Sequence, residues 1–273
     1  MKIDLHNHSI YSDGVLSPKE LIERAIKNNV DIFALTDHDS VFGCDEIYDL
    51  ANTQYKDKIR VIKGMELSTE YNGESVHIVC LFKNNSIPKE IYEFSKNHKE
   101  YRTKRAIDML NNINKYYGLK VDIDELIKES KVITRANMMR HIAKLNNLTF
   151  DEAKVYCSSS SKAYIPSTKL SVPDGLKLIH DNNGIAIFAH PCLIKERKTV
   201  LEILKLGKFD GIEVRYPSIK NDEEFFSMVA EEYGLLKSAG SDCHGDSTHA
   251  DIGTKTLKKE EFLPIANLIG FNI

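Results

Sequence analysis

DLHNHSIYSDG, residues 4–14, carries the end of a predicted β-strand into a turn that presents a carboxylate. His6 and His8 stand two positions apart, so an extended backbone directs both imidazoles to the same side. Asp13 follows in the turn Ser12-Asp13-Gly14. In parallel α/β folds, sites are built where the strands end. The stretch therefore predicts an α/β fold with polar side chains gathered at one edge of its sheet.

Short β-rich runs alternate with helical stretches along most of the chain, and several of these runs are almost continuously apolar. Such runs are typical of strands in a parallel sheet that is covered on both faces. The predicted strands are Lys2–His6, Asp31–Thr36, Arg60–Glu66, Val76–Phe82, Gly184–Ala189, Gly211–Arg215 and Leu236–Gly240. The alternation favours a parallel sheet, and the number of strands favours a barrel.

Capping residues indicate where helices begin and end. Ser17-Pro18-Lys19-Glu20 combines an N-cap serine, a proline at the first helical position and a capping-box glutamate. Pro173 predicts a helix that ends at Gly184, and Asn221 predicts another that ends near Gly234. These helices lie between predicted strands, as the barrel requires.

The segment 88–161 interrupts the alternation, because it shows only helical periodicity. Gly118 ends its first apolar stripe, and Thr149 with Glu152 caps a later helix. We therefore expect a barrel formed by residues 1–87 and 162–273. Residues 88–161 would form a helical insertion that covers one end of the barrel as a cap.

Composition limits the partners and the location. The chain has 273 residues and a formal net charge of −3, which argues against an extended basic surface for nucleic acid. A short nucleotide held by a few local cations remains compatible with that charge. The five cysteines are scattered without a Cys-x-x-Cys pair, and neither a signal region nor a membrane-spanning apolar run is present. We expect a cytoplasmic protein; the sequence leaves its oligomeric state open.

Histidines and carboxylates recur at the predicted strand edges. They lie in Thr36-Asp37-His38-Asp39, at Glu66 and His77, in Ala189-His190-Pro191 and in Gly240-Ser241-Asp242-Cys243-His244. Five of the ten histidines fall at or just beyond strand ends: His6, His8, His38, His190 and His244. Because these ends converge on one barrel edge, we predict that the residues bind metal ions. Apart from His77, the other four histidines, His98, His141, His180 and His249, are expected to face solvent.

Imidazole and carboxylate donors without thiolate suit manganese, iron, zinc or cobalt. Cys243 lies between two candidate ligands, but strand alternation directs it away from them. Asp13, Glu66 and Asp242 would offset half the charge of three divalent ions. The remaining positive charge suits a phosphate dianion and a hydroxide that two neighbouring metals share.

Together these motifs resemble the PHP (polymerase and histidinol phosphatase) family. The matching segments are Asp4-Leu5-His6-Asn7-His8, Ser12-Asp13-Gly14, Leu35-Thr36-Asp37-His38-Asp39, Gly64-Met65-Glu66-Leu67-Ser68, His77, Ala189-His190-Pro191 and Gly240-Ser241-Asp242-Cys243-His244. The resemblance implies a distorted (β/α)7 TIM-like barrel and a trinuclear metal site, with manganese the first candidate. It spans the chain from the first predicted strand to the last.

The resemblance also implies which residues bind each metal. One metal would be held by His6, His8, Glu66 and Asp242. Glu66 would bridge to a second metal held by His77 and His190, and the third would be held by Asp13, His38 and His244. A metal-bound hydroxide held by Glu66, His8 and His190 would act as the nucleophile.

The turn leading into Ser17-Pro18 and the helical insertion resemble small stand-alone PHP phosphoesterases, which act on nucleoside 3′,5′-bisphosphates and on the 5′ ends of short RNA. Thr134-Arg135-Ala136-Asn137 resembles their Gly-Arg segment, which places an arginine over the substrate phosphate, although Thr134 replaces the glycine. A second Gly-Arg after the His-Pro pair is absent, and Arg197 is the candidate substitute.

The leading hypothesis is hydrolysis of a nucleotide phosphate ester, such as a nucleoside 3′,5′-bisphosphate, AMP or a short 5′-phosphorylated oligonucleotide, with Arg135 and Arg197 binding phosphate. A histidinol-phosphate phosphatase would share the metal site and differ in its pocket contacts. A non-catalytic, metal-stabilised PHP binding module is the third possibility. The complete ligand set counts against the module, because a degenerate domain is expected to have lost some ligands.

Overall fold

The computed structural model describes residues 1–129 and 131–273. The strands are β1 Ile3–Asp4, β2 Ile32–Leu35, β3 Arg60–Tyr71, β4 Glu74–Phe82, β5 Leu170–Ser171, β6 Gly184–Phe188, β7 Gly211–Arg215 and β8 Leu236–Ala239. The helices are α1 Pro18–Lys27, α2 Cys44–Asn52, α3 Lys89–Tyr117, α4 Ile123–Glu129, α5 Arg135–Asn146, α6 Phe150–Cys157, α7 Val172–Asp181, α8 Arg197–Leu204, α9 Glu223–Tyr233 and α10 Lys259–Ile269. Strands and helices alternate outside 89–157, as the sequence predicts, except that β3 leads directly into β4 without a helix between them.

Seven of the described strands form one barrel-like sheet in the order β1-β2-β3-β4-β6-β7-β8, and the short β5 pairs with β3 outside this path. The first and last strands approach each other, since Leu5 N donates to Ala239 O at 3.1 Å. Beyond them, Asp242 N donates to His6 O at 2.9 Å. The sheet is thus nearly closed, and the prediction of a distorted α/β barrel is confirmed.

The prediction of a parallel sheet is wrong at one strand, because β4 runs antiparallel to both β3 and β6. A two-residue turn, Asn72-Gly73, joins β3 to β4 with positive φ angles of 49° and 82°. Asn-Gly is the residue pair that such hairpin turns favour, because both positions need positive φ. The hairpin also extends β3 to Tyr71, so Glu66 lies within the strand and not at its end.

Most predicted helix limits are confirmed. Ser17 and Glu20 form the capping box at the start of α1, and α3 ends at Gly118, whose φ is 68°. By contrast, α7 ends at Asp181, because Gly184 already belongs to β6. The longest described helix, α3, has 29 residues, yet no helix in the described ranges combines the length and the apolar character needed to cross a membrane.

The interior of the barrel is a continuous apolar cluster. It includes Ile3, Ile32, Ile62, Val79, Ile187 and Ala239 from six strands, together with Phe262 and Ile265 from α10. Successive strand residues point to opposite faces, so the side chains next to these pack outward against the surrounding helices. The polar side chains of the candidate site therefore stand at the edge of a filled barrel and not inside a pore.

Helices α3 to α6 share an apolar cluster of their own, which includes Met109 and Ile113 of α3, Met138 of α5 and Ala153 of α6. We propose on this basis that residues 88–161 form a cap with a separate small core. The expectation that His141 faces solvent is wrong: it is 2% exposed, and its Nε2 accepts a hydrogen bond from Asp122 N at 3.1 Å. Its side chain ties α5 to the start of α4.

Helix α7 packs closely on β3 at Gly175, and this contact gives a test of the barrel. A Cβ there would lie 2.6 Å from Thr69 Cγ2 and 3.1 Å from Leu67 Cδ2. Overpacking costs about 1–3 kcal/mol, which exceeds the roughly 1 kcal/mol that alanine gains over glycine in a helix. Gly175→Ala should therefore lower the free energy of unfolding measured with urea. Lys177→Ala, on the exposed face of α7, is the control and should stay within about 0.5 kcal/mol; equal values for the two would contradict the contact.

Candidate metal centre

Glu66 lies at the centre of a cluster of imidazoles at the barrel edge. Its Oε2 is 3.3 Å from His6 Nε2, 3.3 Å from His8 Nε2 and 2.9 Å from His38 Nδ1. Its Oε1 is 2.9 Å from His77 Nδ1 and 2.8 Å from His190 Nε2. The carboxylate is 1% exposed. Strand ends from around the barrel therefore meet at one buried oxygen pair.

Two further carboxylates complete the cluster. Asp242 Oδ1 is 2.9 Å from His8 Nε2, and Asp13 Oδ1 is 3.2 Å from His244 Nε2. Asp13 also approaches His38, with Oδ2 3.7 Å from Nε2. The structure thus brings together every residue that the sequence predicts as a metal ligand.

Three sets of donors within the described residues are spaced closely enough to surround a cation. They are His6, His8, Glu66 and Asp242; His8, Asp13, His38 and His244; and His38, Glu66 and His77. The first set has the membership that the family resemblance implies for one metal. The third contains His38 where the resemblance has His190, although His190 Nε2 also contacts Glu66.

Several buried donor atoms of this cluster have no hydrogen-bond partner. Across the described residues, the unpartnered buried atoms include His6 Nε2, His8 Nε2, His38 Nδ1, Asp13 Oδ1, Glu66 Oε2 and Asp242 Oδ1. A buried polar atom without a partner is costly, and such atoms seldom occur together in a stable fold. Because these nitrogens and oxygens converge, the donor set fits divalent cations.

The electrostatics favour ionised carboxylates. Burial alone would raise the pKa of Glu66, but the nearby imidazoles of His38 and His6 lower it well below its usual range. The pKa of Asp13 and that of Asp242 are lowered in the same way, against the effect of burial. The three carboxylates are therefore held in the ionised form, which is the form that binds a cation.

Glu213 holds two candidate ligands from behind, a role that the sequence analysis missed. Its Oε1 accepts from His6 Nδ1 at 3.0 Å, and its Oε2 accepts from the backbone N of His190 at 2.6 Å. A carboxylate accepting at Nδ1 places the His6 proton there and leaves Nε2 free to bind a metal. Gly240 makes room, since a Cβ there would lie 2.2 Å from His6 Cβ. The sequence does contain a signal for this role, because Glu213 is an acidic residue within the apolar strand Gly211–Arg215.

Asp37 fixes the loop after β1 in a similar way. It accepts hydrogen bonds from Ser9 N and Ser9 Oγ, both at 2.7 Å, and from Ser12 Oγ at 2.6 Å. Ser12 Oγ in turn lies 3.4 Å from His8 Nδ1. The loop that carries Asp13 is thus positioned by a buried carboxylate from the neighbouring strand end.

A cavity of about 500 Å³ lies between the candidate metal ligands around Glu66, hereafter the metal cluster, and the proposed cap. Asp13, His38 and His77 line one side. The basic residues among its described lining are Arg102, Arg105, Arg135, Lys154 and Lys169. The predicted substrate contact Arg135 therefore does face the space next to the metal cluster.

Arg197 is not brought to this cavity. Its Nη2 lies 2.7 Å from Asp222 Oδ2, and its guanidinium lies over the ring of Phe225 at 4.3 Å. None of these three residues is part of the cavity lining. The sequence placed Arg197 near the site because it follows His190 by seven positions, but α8 carries it away.

Two arginines attach the cap to the metal cluster. Arg140 of α5 donates from Nη2 to Asp13 O at 2.7 Å, and Arg102 of α3 pairs with Asp39, next to His38.

The prediction that His98 faces solvent is wrong, since it lines the cavity. His249 is 39% exposed and stacks on the ring of His244 at 3.9 Å.

The contacts of Glu213 predict that Glu213→Gln weakens metal binding. The amide cannot accept from both His6 Nδ1 and His190 N, so one donor loses its partner; such changes typically cost about 10–100-fold in metal affinity. Titration with Mn²⁺ measures the dissociation constants. Glu223→Gln, at an exposed residue paired with Arg215, is the matched control and should leave them unchanged. Equal affinities in the two variants would contradict the role of Glu213.

Comparison with known proteins agrees with this geometry. The model of the PHP domain matches residues 4–169. The chain is 31% identical over 278 residues to a 5′-3′ exoribonuclease of Haemophilus influenzae, with 97% of each chain covered. It is 30% identical over 253 residues to a 3′,5′-nucleoside bisphosphate phosphatase of Chromobacterium violaceum, covering 89% of this chain and 87% of that one.

Solved structures share the fold. A sulfate-bound, metal-free amidohydrolase from Chromobacterium violaceum superimposes with a TM-score of 0.83 at 26% identity, covering 98% of this chain and 97% of that one. A chain from Bifidobacterium adolescentis superimposes with a TM-score of 0.84 at 21% identity, covering 97% and 96%. The match to the domain model extends over more than half of the residues, and the relatives align along nearly the whole length. The chain belongs to the PHP domain family.

Proposed function

We propose that this chain is a metal-dependent hydrolase of phosphoric ester bonds that acts on nucleotides. The observation that carries the proposal is a cluster of candidate metal ligands around Glu66 that opens on a basic cavity. The names of the exoribonuclease and bisphosphate phosphatase relatives support the same reaction class. The candidate substrates are nucleoside 3′,5′-bisphosphates, AMP-like nucleotides and short 5′-phosphorylated oligonucleotides.

We propose three divalent ions, with manganese the first candidate, held by the nine residues named above. Once bound, the ions would supply a water of lowered pKa as nucleophile and neutralise charge on the phosphate. The protein's own contribution is to hold the ligands. Glu213 fixes the orientation of His6, and Asp37 fixes the loop of His8 and Asp13.

The cavity favours a substrate with more than one phosphate. Arg105 Nε already donates to Ile165 O at 2.7 Å, and Lys169 Nζ to Ser75 Oγ at 2.5 Å. Within the described residues, Arg135 and Lys154 are exposed in the cavity and have no hydrogen-bond or ion-pair partner. They can therefore bind a second phosphate by charge-assisted hydrogen bonds while the first lies at the metal cluster.

The same charges disfavour histidinol phosphate, which carries an ammonium group. Asp13 is the one carboxylate in the described lining of the cavity, against five basic side chains. Since like charges repel, a cationic substrate would gain little there. A non-catalytic binding module is disfavoured too, because the ligand set is complete and the cavity gives a substrate access to it.

A direct test incubates the Mn²⁺-loaded protein with adenosine 3′,5′-bisphosphate, AMP, a short 5′-phosphorylated RNA and histidinol phosphate. We expect phosphate release or chain shortening from the nucleotide substrates at rates well above that on histidinol phosphate. A faster rate on histidinol phosphate would favour the alternative phosphatase. No product from any substrate, with metal bound, would contradict an enzymatic function.

Asp13→Asn tests whether the cluster is catalytic. Loss of one negative ligand next to His38 and His244 should lower kcat at least about 100-fold. Removing a metal ligand should cost at least as much activity as removing a residue that only orients a ligand. The thermal unfolding midpoint should change little. Asp181→Asn, at an exposed residue at the end of α7, is the matched control and should keep full activity. A variant that merely unfolds would indicate a structural metal.

Arg135→Met tests the second phosphate contact. A hydrogen bond to a charged group is worth about 1.5–3 kcal/mol, so KM for the bisphosphate should rise roughly 10–100-fold. KM for AMP, which has one phosphate, should change much less. Arg197→Met is the matched control and should leave both values unchanged, since Arg197 pairs with Asp222 outside the cavity. An equal rise for both substrates would contradict this role of Arg135.

A further inference from the structure

His98 stands in the cavity beside the metal cluster without being one of its predicted ligands. It lies on α3 of the cap, and its side chain is 18% exposed. Among the described residues that line the cavity, it is the one imidazole outside the ligand set, the others being His38 and His77. Metal binding therefore does not explain why this imidazole lies in the cavity.

Asp39 holds one nitrogen of this imidazole. His98 Nε2 lies 3.4 Å from Asp39 Oδ2, within ion-pair range. Asp39 is itself fixed: Ser68 N donates to Oδ1 at 2.7 Å, Ser68 Oγ donates to Oδ2 at 2.8 Å, and Arg102 pairs with the carboxylate. Asp39 is 2% exposed and has a φ of 51°, a backbone conformation that aspartate adopts more readily than most residues. The carboxylate is therefore a rigid support for His98.

The other nitrogen of the imidazole is available. In the described ranges, Nδ1 of His98 has no hydrogen-bond partner. Phe94 stacks on the imidazole with ring centroids 5.5 Å apart and planes inclined by 24°, which fixes its plane. A histidine with one nitrogen on a buried carboxylate and the other unpaired has the arrangement of a general acid-base residue.

A proton donor on this side of the cavity would accelerate the reaction proposed above. Displacement at phosphorus is in line, so a water that attacks from the side of the metal ligands leaves the ester oxygen pointing into the cavity. The alkoxide of a ribose is a poor leaving group, and a proton stabilises it. Of the side chains with transferable protons, histidine titrates nearest to neutral pH. Lysine, arginine and tyrosine, which also line the cavity, are ordinarily weaker acids.

We propose that His98 is the general acid of the reaction and that Asp39 is its positioning residue; this rests on the proposed function. The oxygen of water forms a new bond to phosphorus while the bond from phosphorus to the ester oxygen breaks. The electron pair of that bond stays on the ester oxygen, which takes the proton of His98. One hydrogen of the attacking water remains on the phosphate, and the other returns to the imidazole through solvent. The products are the free alcohol and hydrogen phosphate.

His98→Gln separates this role from a structural one when the leaving group is varied. With adenosine 3′,5′-bisphosphate and with glycerol 3-phosphate, kcat should fall about 100-fold or more, the usual contribution of general acid catalysis. With p-nitrophenyl phosphate, kcat should stay within about threefold, because nitrophenolate leaves without a proton. His180→Gln, at a residue that pairs with Asp210 outside the cavity, is the matched control and should leave every rate unchanged.

Equal losses on all three substrates, or no loss on the alkyl phosphates, would overturn the proposal. Mn²⁺ affinity and the thermal unfolding midpoint of the variant are measured alongside, and His98→Asn serves if the glutamine variant does not fold. The proposed nucleotide function fails separately if the wild-type protein hydrolyses glycerol 3-phosphate but not the bisphosphate. In that case the comparison of glycerol 3-phosphate with p-nitrophenyl phosphate still decides the role of His98. A wild-type protein that hydrolyses none of the three overturns both proposals.

Discussion

The structure depends on one buried carboxylate, Glu66, which lies within 3.3 Å of nitrogens from five histidines. Without a cation, much of this polar surface is buried and unpaired, which costs stability. The rest of the barrel edge holds these groups in place against that cost. Glu213 and Asp37 accept from both backbone and side-chain donors. Glu213 fixes the candidate ligands His6 and His190, and Asp37 fixes the loop that carries His8 and Asp13. These hydrogen bonds position the candidate ligands relative to one another.

The amino-acid sequence predicts this cluster well, because its signals are local. His6 and His8 alternate just beyond β1, and Asp242 and His244 repeat the spacing after the last strand. The closure of the barrel then brings the two pairs together, with His8 N donating to Cys243 O at 2.9 Å. A single strand end would carry little information. Strand ends that converge on one barrel edge leave few geometries open, which is why every predicted ligand lies in the cluster.

What the sequence analysis missed is tertiary in origin. The Asn72-Gly73 turn reverses β4, so His77 comes near the start of its strand and still reaches the edge where the parallel strands end. Glu213 resembles any acid in a strand until the fold places His6 and His190 against its two oxygens. His98 and His141 lie in helical segments, and from the sequence alone both are expected to face solvent. Only the packing of the cap shows that the first faces the cavity and the second is buried.

The barrel and the proposed cap contribute different side chains to the site, and two contacts join them there. The candidate metal ligands all belong to the barrel, whereas Arg102, Arg105, Arg135 and Lys154 of the cavity belong to helices of the proposed cap. Arg140 holds α5 to the backbone of Asp13, and Arg102 holds α3 to Asp39, so both attachments end on loops that carry metal ligands. Any displacement of the cap would move the basic side chains that we propose bind phosphate and would also disturb those loops. On the proposed function, substitutions in the cap would change substrate choice, but only within the limits that these two arginines set.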